Sequence, residues 1–321
     1  MTTVAPPGKS AAEATPTAKR SGRKAAPPPA AQVKKQRQAR RLVLPALAVS
    51  LALTQIPFLV TIYFSFLDWN QLRPDDIAFT GLDNYVSVVT GGEFLPSLVS
   101  TVTITGTSVV LALLLGLGFA LLLDRQFRGQ GVVRTLIITP FLVMPAAAAL
   151  VWKWLMLDSN VGMINVALTT VGLPPVAWNT EFPVVTIIAV LTWQFTPFMM
   201  LILLAGLQSQ SREVLEAASV DGAGPLRTFQ HMTLPHLRQY IEIATLLGGI
   251  MLLQVFDPIA IMTKGTGGTK TLPYLLYERA FIGLDVGQAA AYGVVTVILT
   301  LVVATVALRT LFKVFMNGGV R

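Results

Sequence analysis

Residues 215–238 read LEAASVDGAGPLRTFQHMTLPHLR, a polar stretch between two strongly apolar runs. Ser211 precedes it and is expected to cap a short helix, because a serine hydroxyl can accept hydrogen bonds from the free amides of a first turn. Gly222 can end this helix in a left-handed conformation. Pro225 can open a second short helix, where its missing amide costs nothing, and Leu234–Pro235 is expected to end it. The stretch is therefore predicted to form two short helices with a sharp break.

The composition of the whole chain is that of a membrane protein. Of its 321 residues, 53% are hydrophobic and only 12% are charged, whereas charged residues make up near a quarter of a soluble domain. The absence of cysteine excludes a disulfide framework, a thiolate metal site and a cysteine nucleophile. Ten of the 24 lysines and arginines lie in the first 41 residues, so the net charge of +8 indicates membrane topology rather than nucleic-acid binding.

The two histidines of the chain, His231 and His236, both lie in the opening stretch. They stand five positions apart across a proline, and no other type of metal ligand clusters with them. A metal site needs more than two imidazoles. We therefore predict no metal site and interpret both histidines as surface residues near lipid headgroups.

Residues 1–41 form a basic segment rich in Ala, Pro, Lys and Arg, with Glu13 as its only acid. The segment lacks apolar periodicity, which predicts a disordered tail. An organellar transit peptide has a similar composition, but we favour a solvated cytoplasmic tail that anionic lipid can attract. The apolar run that follows is too long for a secretory signal and has no clear cleavage site.

Six apolar runs follow the tail, each near the roughly 20 residues that a bilayer requires. They cover Leu42–Phe66, Leu98–Leu123, Val132–Met156, Val184–Leu207, Ile241–Met262 and Ala289–Leu311. The predicted fold is an all-α membrane domain of six transmembrane helices within residues 42–315. Residues 211–238 form the loop between the fourth and fifth of these helices.

The distribution of basic residues predicts the orientation, because cytoplasmic loops carry an excess of Lys and Arg. Besides the tail, the segments on the predicted inner side contain Arg125, Arg128, Arg134, Arg212, Arg227, Arg238, Arg309, Lys313 and Arg321. The predicted outer loops contain Arg73, Lys264, Lys270 and Arg279. Lys153 lies near the outer end of the third run and is expected to extend toward the lipid headgroups. Both termini and the loop 211–238 are therefore predicted to be cytoplasmic.

Polar side chains inside the apolar runs are candidates for a substrate pathway, because such groups usually point into a helix bundle or a cavity. Trp193 and Gln194 lie in the middle of the fourth run, and Tyr292 opens the sixth. Gln254 and Asp257 stand three apart in the fifth run, which predicts one helical face. A sugar would use rings against its CH faces, and amides and a carboxylate on its hydroxyls. Hydrogen bonding between helices is the alternative explanation.

No motif of catalysis occurs in the chain. A GxxxxGK[ST] phosphate loop is absent, so the chain is not expected to hydrolyse ATP or to be an enzyme. One rival function is a stand-alone, ion-coupled secondary transporter that uses Asp257 as its coupling acid. A membrane scaffold with no transport pathway is a further rival.

The spacing of Glu216-Ala217-Ala218, Gly222 and Leu234-Pro235 resembles the EAA loop of ABC importer permeases. From Leu42 to Leu311 the chain is similar to permeases of carbohydrate importers of the maltose/glycerol-phosphate type, and most similar to those for sugar alcohols such as sorbitol and mannitol. The segments that carry this resemblance include Ser65–Trp69, Phe79–Tyr85, Ile138–Phe141, Thr192–Met200 and Leu272–Leu275.

The resemblance implies a type I ABC importer permease that works by alternating access. It implies that the contact with the ATPase is made by Glu216, Ala217, Ala218, Asp221, Gly222, Leu234 and Pro235. The implied partners are ABC ATPase subunits that bind ATP and Mg²⁺, a second and usually different permease subunit, an extracytoplasmic solute-binding protein, and a sugar or polyol substrate. We expect no cofactor on this chain, no nucleic acid, and a location in the bacterial cytoplasmic (inner) membrane.

Overall fold

The computed structural model describes the backbone of residues 30–318 and the side chains of residues 44–303 and 305. Contacts divide the chain into two compact units, Met1–Ile56 and Pro57–Arg321. The first helix begins at Ala30, so residues 30–41 of the predicted disordered tail are helical. The rest of that predicted tail, residues 1–29, lies outside the described residues.

Most of the described residues are helical. The α-helices are α1 (Ala30–Phe64), α2 (Asp83–Thr90), α3 (Phe94–Leu123), α4 (Gln130–Leu142), α5 (Pro145–Leu150), α6 (Met163–Thr170), α7 (Trp178–Glu181), α8 (Pro183–Gln208), α9 (Arg212–Val220), α10 (Pro225–Thr228), α11 (Leu234–Leu253), α12 (Leu272–Tyr277) and α13 (Val286–Gly318). Four π-helical segments are π1 (Val151–Met156), π2 (Phe229–Thr233), π3 (Ile259–Thr263) and π4 (Glu278–Ile282). Two short antiparallel strands, β1 (Leu67–Asp68) and β2 (Ala78–Phe79), pair Leu67 with Phe79 and Asp68 with Ala78.

Four described helical segments are long and apolar enough to cross a membrane: Leu44–Phe64, Phe94–Leu123, Pro183–Gln208 and Val286–Val303. A further candidate is a pair of helical segments, Gln130–Leu142 and Pro145–Met156, that is bent by 97°. The bend has a local cause, because the residue before a proline is disfavoured in the helical region and Met144 is extended, with ψ at 134°. The third predicted span is therefore a broken helix.

The fifth apolar run is also interrupted. Helix α11 ends at Leu253, and the next three residues are not helical. Pro258 precedes π3, and a proline cannot donate the amide that would continue the α-helical ladder. The prediction that Gln254 and Asp257 share one helical face is therefore wrong.

The core of the second unit is built where α3, α8 and α11 meet. A Cβ atom on Gly116 of α3 would lie 2.9 Å from the Cβ of Met199 and 2.9 Å from the backbone nitrogen of Met200. Met199 is fully buried, and Gly248 of α11 approaches its side chain from the other direction. Small residues let membrane helices approach closely, so these two glycines set the spacing of the three helices.

Candidate functional site

Helix α9 contains the Glu-Ala-Ala triplet and ends in a Schellman motif. The amide of Ala223 donates to the carbonyl of Ala218 at 3.0 Å, and the amide of Gly222 donates to the carbonyl of Ser219 at 3.1 Å. This pair of bonds satisfies carbonyls that a helix end leaves free and needs a left-handed residue. Gly222 supplies it with φ at 79°, which confirms the predicted end of the helix.

Two details of the predicted loop are wrong. Ser211 stands at the N-cap position with extended backbone, but its side chain makes no capping hydrogen bond. Pro225 opens α10 as predicted, yet Leu234–Pro235 does not end a helix. Helices α10 and α11 are joined without a gap through π2. We attribute this to the wider π turn, which makes room for Pro235 in the first turn of α11.

The exposed surface of the loop differs from the predicted contact set in one respect. Glu216, Ala217, Asp221, Gly222, Leu234 and Pro235 are exposed. Ala218 is only 5% exposed, so it faces the protein and cannot offer its side chain to a partner. Val220 and Leu226, which the motif did not single out, are 87% and 68% exposed. These two apolar side chains are therefore accessible to a partner.

A polar cluster joins the two ends of the loop, and we call Gly206, Ser209, His236 and Tyr240 the stem cluster. The Ser209 hydroxyl lies 3.0 Å from Nε2 of His236 and 2.8 Å from the Tyr240 hydroxyl. It also donates to the Gly206 carbonyl at 2.8 Å, and His236 Nε2 lies 3.1 Å from the same carbonyl oxygen. The cluster ties the end of α8 to the first turns of α11.

The two histidines therefore have different environments. His236 is half-buried in the stem cluster, so its interpretation as a surface residue is wrong. His231 is exposed, and its Nδ1 lies 3.0 Å from the Arg227 carbonyl oxygen of its own helical turn. Within the part of the chain that the structure describes, no group of three or more His, Asp or Glu side chains could hold a metal ion.

Gln194 occupies the break in the third span. Its side chain is 3% exposed, and Nε2 donates to the carbonyl of Val143 at 3.1 Å. A carbonyl freed inside a membrane must find a donor within the protein, and Gln194 supplies it. The other amide atom of Gln194, Oε1, is buried without a hydrogen-bond partner among the described residues.

The remaining pathway candidates do not gather around Gln194. The ring of Trp193 meets Trp152 edge-on, with centroids 5.5 Å apart. Gln254 is exposed and Asp257 half-buried at the interruption after α11. Tyr292 is 3% exposed and belongs to a separate hydrophobic cluster with Val88, Leu275 and Ala291. The structure therefore places Tyr292 in packing between helices.

An ion-pair cluster lies among the predicted outer segments, and sequence reasoning did not single it out. Lys270 Nζ lies 2.6 Å from Glu278 Oε2 and 3.5 Å from Glu93 Oε1, and Arg279 also pairs with Glu93. Burial raises the pKa of Glu93, but the hydrogen bond and charge of Arg279, together with Lys270, outweigh it and hold that pKa below its ordinary value. The cluster links the start of α3 to π4.

Residues 108–315 match the family described as "Binding-protein-dependent transport system inner membrane component". The chain belongs to this family. It is thus a multi-pass membrane subunit of an ABC transporter, and the rival interpretation as a stand-alone secondary transporter does not hold. The contact between Gln194 and Val143 and the whole of the stem cluster lie inside the matched region.

Several named proteins are similar to this permease. It is 35% identical over 274 residues to the probable ABC transporter permease protein y4oQ of Sinorhizobium fredii, covering 84% of this chain and 88% of that protein. It is 34% identical over 273 residues to the trehalose/maltose transport system permease protein MalF of Thermococcus litoralis, covering 84% and 91%. The trehalose transport system permease protein SugA of Mycobacterium tuberculosis is 31% identical over 284 residues, covering 88% and 91%.

A solved structure has the same fold. A chain in the crystal structure of a bacterial ABC transporter involved in the import of the acidic polysaccharide alginate superimposes with a TM-score of 0.75. The match covers 88% of this permease and 98% of that chain, at 21% sequence identity. The fold is therefore that of a type I ABC importer permease.

Proposed function

We propose that this permease imports a sugar across a bacterial cytoplasmic membrane, with ATP hydrolysis supplied by separate subunits. The observation that carries the proposal is α9, a short surface helix on which Glu216 and Ala217 are exposed and which has a fixed end at Gly222. A helix of this kind suits insertion into a groove on another protein. Glu216 contacts basic residues of the ATPase, while Val220 and Leu226 fill apolar positions of the groove.

The stem cluster connects the proposed ATPase contact on α9 to helices α8 and α11. Displacement of α9 by the ATPase reaches α8 and α11 together, because Ser209 and His236 join the two helices. Helix α8 carries Gln194. Helix α11 ends at Leu253, Gln254 follows directly, and Asp257 comes three residues later. Closure of two ATPase subunits on ATP therefore moves the proposed pathway residues, and the paired permeases alternate between inward-open and outward-open states.

A second permease subunit and an extracytoplasmic binding protein complete the proposed importer. The family description names binding-protein-dependent transport, and one structural relative is an alginate transporter in complex with an alginate pentasaccharide-bound periplasmic protein. We propose that the second permease is a different chain. Co-purification of a tagged copy, followed by mass spectrometry, tests this, because recovery of this chain as the only permease contradicts the heteromeric arrangement.

The substrate class is proposed from two sources. Relatives are named for trehalose and maltose, sulfoquinovosyl glycerol and sn-glycerol-3-phosphate, which supports a carbohydrate. The resemblance of segments such as Thr192–Met200 to sugar-alcohol permeases favours a sugar alcohol. The set of groups on α8, an indole beside an amide, suits either ligand, because both present hydroxyl groups and CH faces.

Uptake of labelled trehalose, maltose, mannitol and sorbitol tests the proposal in cells that express the full system, with deletion of this chain as the control. If uptake depends on the chain and only polyols compete for it, the sugar-alcohol assignment is established. Competition by a disaccharide keeps the sugar importer and excludes the sugar-alcohol assignment. Uptake of every compound at the same rate with and without the chain contradicts the proposed function.

A further inference from the structure

A small cavity of about 180 Å³ lies at the end of π1, between the third span and the loop that follows it. We call it the outer cavity. It is lined by Lys153, Trp154, Leu157, Asp158, Ser159, Ala177, Trp178, Asn179 and Thr180. At roughly 30 Å³ for each water molecule, its volume equals that of about six waters. The cavity is partly open to solvent, so it has room for one six-membered sugar ring.

The walls of the outer cavity are held in place by Asn165, which is 1% exposed. Its Nδ2 donates to the carbonyls of Asp158 and Val176 at 2.9 and 3.0 Å. Its Oδ1 accepts from the amide of Val176 at 3.0 Å and from Nε1 of Trp178 at 3.2 Å. The indole of Trp178 is therefore fixed before any ligand arrives, and a pre-organised wall lowers the entropy cost of binding.

Three polar side chains of the outer cavity, Lys153, Asn179 and Asp158, have hydrogen-bonding capacity that the protein does not use. Lys153 donates to the carbonyl of Ile261 at 2.6 Å, so it is anchored in the protein and does not extend to the headgroups as predicted. An ammonium has three donors, which leaves two for a ligand. The Oδ1 atom of Asn179 is buried and has no partner among the described residues, and a buried acceptor of this kind is costly unless something donates to it.

Asp158 contributes a carboxylate to the same cavity. Its Oδ1 accepts from the amides of Asn160 and Val161 at 2.9 and 3.1 Å, and these bonds hold the pKa of Asp158 below its ordinary value. Within the described part of the chain, Asp158 forms no ion pair with Lys153. The cavity thus offers a negative and a positive group that do not neutralise each other by direct contact.

We infer that the outer cavity is a binding site for one neutral sugar ring. The ring lays its CH face against Trp178, donates hydroxyl protons to Asp158 and Asn179, and accepts from Lys153. A phosphate or another anion is disfavoured, because the Asp158 carboxylate repels it. The inference rests on the proposed function for the substrate class and for the assignment of this side of the membrane as outer.

The site is distinct from the proposed pathway residues and is linked to them through π1. Trp152 precedes Lys153 in π1 and contacts Trp193 edge-on. Consecutive residues of a helix do not face each other, so the link runs through the backbone of π1. We assign the cavity as a first contact point, which a terminal sugar unit occupies after its release from the binding protein.

The five tryptophans of the chain allow a direct test by ¹⁹F NMR. The complete transporter, with this chain labelled by 5-fluorotryptophan, is placed in lipid nanodiscs without binding protein and titrated with D-glucose. Single Trp-to-Phe variants assign the signals. We expect the signals of Trp154 and Trp178 to shift in a saturable way, whereas Trp69, which packs on Phe64, does not shift. Inorganic phosphate is expected to shift neither cavity signal.

Two amide variants sharpen the test. Asn179→Ala is expected to weaken glucose binding roughly tenfold, because one hydrogen bond to a buried acceptor is lost. Asn160→Ala is the matched control, since its backbone amide still bonds Asp158 and its side chain does not line the cavity. Signals that shift only at Trp152 and Trp193, or equal affinity in both variants, overturn the outer site while leaving the importer function intact. The absence of any shift at saturating glucose also overturns it.

Discussion

At the scale of the residue, the left-handed conformation of Gly222 fixes the end of α9. Its φ of 79° is a region that L-residues with a Cβ atom avoid. No heavy atom lies within 4 Å of a Cβ built at this position, so the constraint comes from the backbone and not from packing. A substitution at Gly222 therefore introduces backbone strain without crowding any neighbouring atom.

We predict that Gly222→Ala destabilises the end of α9 by about 1 kcal/mol and lowers transport. Gly222→Pro is expected to abolish transport while membrane insertion is retained, because proline fixes φ near −65°. Uptake per inserted molecule is the measurement. Gly224→Ala is the control, since Gly224 has φ at −68° and open space around its Cβ position. Normal uptake by the proline variant contradicts the assignment of α9 as the coupling helix.

Glu93 gives a prediction about pH. Because its pKa in the folded protein lies below the ordinary value of 4.5, the ion-pair cluster stabilises the fold fully above that value. This stabilisation is lost as the pH falls through the lowered pKa. We expect the thermal unfolding temperature of the purified permease to decrease below about pH 4.5, and to decrease less in Glu93→Gln. Parallel curves for the two proteins argue against a stabilising role of Glu93.

At the scale of the element, the sequence correctly predicted those helix boundaries that depend on residues next to each other in the chain. The end of α9 at Gly222 and the start of α10 at Pro225 depend on local backbone preferences, and both predictions are confirmed. The break in the third span was not predicted, although Val143-Met144-Pro145 carries a local signal for it. The contact of Gln194 with Val143 spans 51 residues and depends on how α4 and α8 pack, which periodicity within one helix does not reveal.

The stem cluster connects two helices, the end of α8 and the first turns of α11. We predict that His236→Ala lowers the number of substrate molecules transported per ATP hydrolysed by several-fold. ATP hydrolysis is expected to continue, because α9 still docks, while its displacement is no longer delivered to α8. His236→Gln is expected to restore coupling, since its amide nitrogen can donate to the Gly206 carbonyl as Nε2 does.

His231→Ala is the matched control for this prediction, because His231 contacts only the Arg227 carbonyl of its own turn in the described hydrogen bonds. Transport and ATP hydrolysis are measured on the same proteoliposomes. A ratio of transport to ATP hydrolysis that is unchanged in His236→Ala, whether or not both activities fall, shows that the stem cluster does not transmit motion.

At the scale of the whole molecule, the assembly of the second unit depends on close approach of α3 and α8. The contact is made by Gly116 of α3 and the fully buried Met199 and Met200 of α8. Four other α-helices lie between α3 and α8 in the chain. The apolar runs predicted that these helices exist, but a run that is apolar all round does not reveal which face packs. The partner faces could be recognised only from the structure.

We predict that Gly116→Ala destabilises the permease by about 1–3 kcal/mol through overpacking, because the added methyl group meets backbone as well as side chain. Gly118→Ala, two residues along the same helix, has open space at its Cβ position and is expected not to destabilise the permease, because alanine is a better helix former than glycine. Unfolding in detergent with increasing denaturant compares the two. Equal stabilities show that the α3–α8 interface can relax around a methyl group.

We predict that the uninterrupted helical run from Pro225 to Leu253 acts as a lever. At 1.5 Å per residue, the part of the run from His236 to Leu253 is about 26 Å long, so a tilt of about 10° about His236 displaces Leu253 by about 4–5 Å. The fulcrum lies near the stem cluster, where His236 holds the rod to α8. In the proposed function, a small movement of α9 is thereby enlarged at the interruption after α11 that contains Gln254.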